Sequence, residues 1–384
     1  MPATLPTPST EAAQHSARLC AFIRSDIAAQ GGWISFARFM ELALYAPGLG
    51  YYAAGARKLG AEGDFVTAPE ISPLFGRTLA WQAVEIMAQS TPQILELGAG
   101  SGKLAADLLA ELEQLNCLPE RYSILEVSPD LRERQQVLLK ERLPHLLNRV
   151  HWLEALPEAI SGAVIANEVL DALPVHLVHW NNDGILERGV TSEREVFAWQ
   201  DRPIENPALL QIAKEISVPD GYLSEISLAA RGLVASLCER MQQGVLLLVD
   251  YGFGAGEYYH PQRTQGTLMC HYRHHAHDEP FYLPGLQDIT AHVDFSAVAE
   301  SALASGAQLL GYTTQAHFLI NCGIADFLAE ADPENLRDYL PLSAQLQKLT
   351  SPAEMGELFK VMALGKGVNG MLRGFAAGDR SRLL

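Results

Sequence analysis

The chain is poor in cysteine and in basic residues, and it holds no long apolar run. Its five cysteines, Cys20, Cys117, Cys238, Cys270 and Cys322, are odd in number and scattered, with no CxxC pair. That excludes a disulfide framework and the usual zinc spacings. A reducing compartment follows, and the cytoplasm is the expected location. The longest apolar candidate, 245–249, falls far short of the roughly 20 residues that a membrane helix needs, so no membrane span is expected. The opening MPATLPTPSTEAAQ lacks the basic and then apolar order of a signal peptide and the arginines of a transit peptide; it reads as a frayed Pro/Thr-rich tail. Only 28 Lys and Arg stand against 45 Asp and Glu, a net charge of −17. A polyanion would be repelled over most of such a surface, so nucleic acid is not an expected partner and a cationic one is favoured.

What is present points to folded α/β architecture. Hydrophobic residues make up 48% and charged residues 19% of the 384, which excludes disorder as the overall state and fits one large domain with insertions, or two domains. The pattern is helical from 11 to about 45, with Leu19, Phe22, Ile23 and Ile27 on one stripe and a break at Gly31 and Gly32. Glycine and proline then crowd 47–63 too densely for regular structure, and long loops of this kind are usually functional. Ser72 is expected to cap a helix with Pro73 in its first turn, running to about Ala88. Strands at 93–97, 122–127, 150–153, 163–166 and 245–250 then alternate with helices at 101–115, 129–142 and 226–241. This βαβ rhythm predicts a parallel sheet covered on both faces. A hairpin at 175–180 and 185–190 turns at Asp183 and Gly184, and 308–312 and 358–364 are further strand candidates.

Open α/β sheets bind ligands at the carboxyl ends of their strands, and those ends are acidic here: Glu96, Glu126, Glu154, then Asn167 with Glu168, then Asp250. The first strand runs into ELGAGSGKLAADLL, whose Gly98, Gly100 and Gly102 let backbone approach a ligand before a helix opens. The dinucleotide fingerprint fails, because Lys103 stands where its third glycine belongs. A phosphate loop fails too, with Leu97 at its first glycine and Leu104 after the lysine. Glu96 would repel a pyrophosphate yet suits an ammonium or sulfonium, and a carboxylate at the end of the second strand, Glu126, suits ribose hydroxyls. A nucleoside with a cationic tail and no phosphate meets both demands, and S-adenosylmethionine is such a molecule.

ELGAGSGKLAADLL followed by ILEVSPDLRERQ resembles the class I S-adenosylmethionine-dependent methyltransferases. GDFVTAPEISPLFG (63–76), ANEVLDALPVH (166–176), VDYGFG (249–254), PGLQDITAHVDF (284–295) and MGELFKVMALGKG (355–367) together resemble one branch, the MidA-like methyltransferases, related to the mitochondrial complex I assembly factor that dimethylates an arginine. The resemblance implies an α/β, Rossmann-like, seven-stranded class I methyltransferase sheet with a reversed last strand, an N-terminal helical and loop extension and substrate-face insertions. The strands near 308–312 and 358–364 would then be its closing antiparallel pair. The expected division is an extension and covering loop at 1–88, a core at 89–174 and 226–270, a hairpin insertion at 175–225, a substrate-side segment at 271–305 and closing strands with a helical insertion at 306–384.

By the same resemblance Gly98, Gly100 and Gly102 line the methionine part of the cofactor and Glu126 its ribose, while Glu96 orders the turn or the amino group and Glu154 lies near the adenine. Thr67 and Pro69 belong to the loop expected to close over the cofactor, and Asp64 and Glu70 of that loop are substrate-side candidates. Glu70 and Ser72 compete for a simpler task, organising the next helix. The catalytic candidates are Asn167, Glu168 and Asp171. An arginine acceptor is cationic at any ordinary pH and matches a carboxylate fork; the alternative for Asp171 is that it caps or begins a short helix leading to Pro174. Tyr251 would bound the acceptor channel, and His292 lies in a segment that the resemblance puts near the site. No metal is expected from His271, His274, His275 and His277, whose spacing is not diagnostic. The implied function is methylation of an arginine on a partner protein, such as a complex I subunit; the alternatives are a non-enzymatic, cofactor-bound assembly factor and a small-molecule methyltransferase. Oligomeric state is not legible.

Overall fold

Among the described residues, seven strands form the main sheet path: β1 (Gln93–Leu97), β2 (Arg121–Leu125), β3 (Val150–Leu153), β4 (Ile160–Asn167), β5 (Met241–Phe253), β6 (Gln308–Thr314) and β7 (Phe359–Lys366). Their spatial order is β3-β2-β1-β4-β5-β7-β6. The computed structural model describes residues 5–53 and 67–384, and the contacts divide the chain into two compact units. One comprises Val66–Leu170, Leu233–Gly254 and Val293–Leu384; the other comprises Met1–Phe65, Asp171–Gly232 and Ala255–His292.

The first unit holds the main sheet. β1 to β5 are mutually parallel, and β7 runs antiparallel to both β5 and β6. This is the reversed closing strand that the family resemblance implies. Strand order switches at β1, which pairs with β2 on one side and β4 on the other, so a ligand crevice belongs at the ends of these three strands. Val245, Leu246, Leu247, Leu248 and Val249 of β5 are all at most 1% exposed, as expected where both faces of a parallel sheet are covered. The helix Lys103–Gln114 buries Leu104, Leu108 and Leu112, one face at a spacing of four. Ser72 caps the helix Pro73–Ala88, its Oγ accepting from Leu74 N at 3.2 Å.

Two strand ends differ from expectation. β5 continues to Phe253, because Gly252 and Phe253 pair with Val293 and Asp294, so Asp250 lies inside the strand at 1% exposure. Glu96 is likewise the penultimate residue of β1 and is buried. The acids read along the strand ends therefore do not form one row: Glu96 and Asp250 are buried within their strands, whereas Glu154 and Glu168 follow theirs, the first exposed and the second half-buried.

The second unit contains the helices Thr10–Ala29 and Phe36–Tyr45, separated as expected at Gly31 and Gly32, and a five-stranded sheet. In its hairpin Asn181 pairs with Gly184, so the tight turn is Asn182–Asp183 rather than Asp183–Gly184. The side chain of Asn181 fixes it by accepting from Asp183 N. Glu225, 2% exposed, accepts hydrogen bonds from Thr267 N, Thr267 Oγ1, Leu268 N and Tyr258 Oη. Among the described residues no helix is long and apolar enough to cross a membrane.

Candidate cofactor and acceptor site

The turn after β1 takes its shape from three left-handed residues, Gly98 at φ +61°, Gly100 at +53° and Gly102 at +84°. Side chains rarely tolerate this region. At Gly102 a Cβ would also lie 3.1 Å from Cα of Gln135, so glycine is required there on two counts. Glu126 sits just beyond β2 at 6% exposure. Its Oε1 accepts from Ser128 N and its Oε2 from Gln135 Nε2, both at 3.0 Å. Burial pushes this carboxyl up from its ordinary range, opposed by hydrogen bonds from Ser128, Gln135 and the backbone of Gly100 and Val127. Glu96 is pushed up to about 7 by burial, against the hydrogen bond from Tyr122 and with the charge of Glu126 adding to the rise. A carboxyl poised there is only partly ionised near neutrality, which weakens its attraction for a cation.

The segment before the Ser72 cap meets this turn. Glu70 accepts from the hydroxyl of Ser101, which in turn accepts from Lys103 N at 3.3 Å. Lys103 Nζ donates to the carbonyls of Pro69 (2.9 Å) and Glu70 (3.3 Å). The one lysine of the glycine turn is thus held by backbone rather than aimed as a phosphate ligand. Thr67 precedes the short helix Ala68–Ile71, of which Pro69 is part. Glu70 and Ser72 have distinct tasks, the first tied to Ser101 and the second capping Pro73–Ala88. Asp64 lies outside the described residues.

At the end of β4, Glu168 takes a left-handed φ of +52°, which is uncommon for a residue with a side chain. Its N–H donates to Val249 O at 2.9 Å, and its Oε1 accepts from Asn167 Nδ2 (3.1 Å) and Ala68 N (3.4 Å). Oδ1 of Asn167 is buried without a hydrogen-bond partner among the described residues, an acceptor available to a donor ligand. Asp250 Oδ2 accepts from Leu170 N at 2.9 Å, holding the chain that leaves β4. Tyr251 stands edge-on to Phe359 at 5.4 Å. These groups gather within one unit. Glu154 follows β3 and is exposed.

Asp171 and His292 belong to the other unit. Asp171 lies in a turn, not at the start of a helix, and its carbonyl accepts from Ala291 N at 3.0 Å. The N–H of His292 donates to Thr267 Oγ1 at 3.0 Å. The clustered histidines form a hairpin in which His275 and His277 pair opposite Tyr272 and Cys270, whereas His271 pairs opposite Ala276 and so points to the other face. Among the described residues no group of three or more His, Cys, Asp or Glu is arranged to hold a metal ion.

Sequence reasoning missed Gln135 and Ser101. Gln135 carried a signal, since it lies between Leu131 and Leu139 at spacings of four, a polar residue on the buried stripe of its helix. Ser101 carried none, because its partner Glu70 is 31 residues away. Together the site offers a glycine-rich turn, a buried carboxylate at the end of β2, and a carboxamide and carboxylate at the end of β4. Among the described residues the lysine of the turn, Lys103, is turned to backbone carbonyls rather than to a phosphate, and the site fits a nucleoside with an amino-acid tail.

Residues 78–313 match a family described as "S-adenosyl-L-methionine-dependent methyltransferase". The chain is 31% identical to "Protein arginine methyltransferase NDUFAF7 homolog, mitochondrial" of Drosophila melanogaster, over 96% of this chain and 89% of that protein. It is 32% identical to "Protein arginine methyltransferase NDUFAF7, mitochondrial" of Danio rerio, over 87% of this chain and 83% of that one. A crystal structure of a Burkholderia thailandensis protein bound to S-adenosyl-homocysteine is similar at TM-score 0.96 and 49% identity, covering 99% of this chain and 100% of that chain. The cytoplasmic location expected from the cysteines is corrected by these relatives, which are named as mitochondrial. Lack of disulfide pairing separates reducing from oxidising compartments but does not choose among reducing ones.

Proposed function

The chain belongs to the S-adenosyl-L-methionine-dependent methyltransferase family, and from this premise we propose that it methylates an arginine side chain of a partner protein. The observation that carries this reading is the carboxylate of Glu168 at the end of β4, held by Asn167 Nδ2 and Ala68 N on a left-handed backbone. The names of the relatives support the same acceptor.

When bound, S-adenosylmethionine supplies an electrophilic methyl group on a sulfonium. The residues of the chain have to bind, orient and manage one proton. Gly98, Gly100 and Gly102 would line the amino-acid tail and Glu126 would hold the ribose hydroxyls, with Thr67 and Pro69 beside the turn. A guanidinium is charged at any ordinary pH and offers donors in a planar fork. Glu168 would localise that charge away from the attacking nitrogen and accept the proton released, while Asn167 Oδ1 would take a guanidinium donor. Tyr251 would bound the acceptor.

The family resemblance makes a subunit of respiratory complex I the first substrate to test. Incubation with methyl-labelled cofactor and a lysate of a strain lacking the protein should label a protein band, and methyl-peptide mass spectrometry should place the label on arginine. Label confined to the low-mass fraction, or none despite cofactor binding, would sink the reading.

A further inference from the structure

We propose that Gln135 is a positioning residue of the cofactor site, locking the Glu126 carboxylate to the glycine turn and thereby setting affinity for the ribose of the cofactor. The inference rests on the reading of Glu126 as the ribose carboxylate. Gln135 is fully buried, and every part of its amide is engaged. Nε2 donates to Glu126 Oε2 at 3.0 Å and to Gly100 O at 2.9 Å. Oε1 accepts from the indole of Trp152 at 2.9 Å. An indole N–H only donates, so a flipped amide would set N–H against N–H and lose all three bonds. The orientation that serves Glu126 is therefore fixed from β3, where Trp152 resides.

The stem of Gln135 acts as well. Its Cα and Cγ each lie 3.1 Å from where a Cβ on Gly102 would be, so the helix Pro129–Arg142 packs directly on the turn. One side chain thus joins the Gly100 carbonyl, the Gly102 backbone and a buried carboxylate. The bond to Glu126 is charge-assisted, of the class that contributes most when buried. Ser128 N holds the other carboxylate oxygen, and with Gln135 on the second the group is fixed in rotation.

The test is calorimetric binding of S-adenosylhomocysteine to the full chain. Gln135→Met keeps the stem and removes the amide; Gln135→Glu keeps the stem and an acceptor for Trp152 but sets oxygen against Glu126 and Gly100. Each should raise Kd by about 10- to 100-fold, the equivalent of one charge-assisted hydrogen bond. Adding Gln135→Met to Glu126→Gln should weaken binding by less than threefold, because Gln135 acts through Glu126. In the labelling assay the apparent KM for the cofactor should rise in Gln135→Met while kcat at saturation stays within about twofold, a split that general loosening of the fold does not produce. Wild-type affinity in both single variants, full additivity with Glu126→Gln, or loss of the folding transition in both variants would overturn the proposal. If the wild-type chain binds S-adenosylhomocysteine but Glu126→Gln binds it equally well, the ribose reading itself fails.

Discussion

The phenolic hydroxyl of Tyr122 donates a 2.7 Å hydrogen bond to Oε2 of Glu96, so that two neighbouring parallel strands share a buried acid beneath the glycine turn. Burial, opposed by this hydrogen bond and reinforced by Glu126, raises the carboxyl from 4.5 to about 7. Between those values the folded chain keeps a proton that the unfolded chain releases, so this group's contribution to stability falls as pH rises from about 4.5 to about 7 and is level above.

Glu96→Gln keeps an acceptor for Tyr122 and removes the titration. The variant should match the wild type near pH 4.5 and exceed it at pH 7.5 by an amount on the order of 3 kcal/mol. Urea unfolding at the two pH values measures this, and a stability difference that does not grow with pH would refute the assignment.

Gly102→Ala should cost more than Gly98→Ala. Both glycines are left-handed, which costs a side chain about 1–2 kcal/mol. Among the described residues, however, a Cβ at Gly98 meets Cγ2 of Val169, a side-chain tip, at 3.2 Å, whereas at Gly102 it meets the Gln135 backbone at 3.1 Å. Thermal unfolding should rank the two variants, and S-adenosylhomocysteine affinity should fall further in Gly102→Ala.

For Glu168→Gln the expected outcome is a separation of binding from transfer. Cofactor affinity should stay within about twofold, while labelled methyl transfer to protein drops by about 100-fold or more, the scale of a lost proton acceptor. Transfer at the wild-type rate would remove Glu168 from the proposed chemistry.

In the other unit, Glu225→Ala would leave Thr267 N, Thr267 Oγ1, Leu268 N and Tyr258 Oη without their common acceptor. A loss of about 3 kcal/mol or more is expected, with new proteolytic nicking near 264–268. Glu225→Gln still accepts and should lose less. Equal stability of all three forms would show that the carboxylate does not hold this loop.

The core sheet was legible because its strands are short apolar runs between helices of clear period, β5 and β1 most plainly. The strands Val196–Pro203 and Tyr222–Ile226 were not, since VFAWQDRP has no apolar alternation and YLSEI carries a buried glutamate whose partners lie over 30 residues away. At the site, Gly98, Gly100, Gly102 and Glu126 were readable from local spacing. The directions of Glu96 and Asp250 were not, because each depends on where its strand stops pairing. The tie between Glu70 and Ser101 depends on tertiary folding alone.

The position of β7 shapes the order in which the sheet can close. Phe359–Lys366 follows β6 in the chain, yet it inserts between β5 and β6. Until it arrives, the apolar edge of β5 stays open, and an open apolar edge is a template for pairing with another chain. Chains stopped before Phe359 should therefore aggregate through β5.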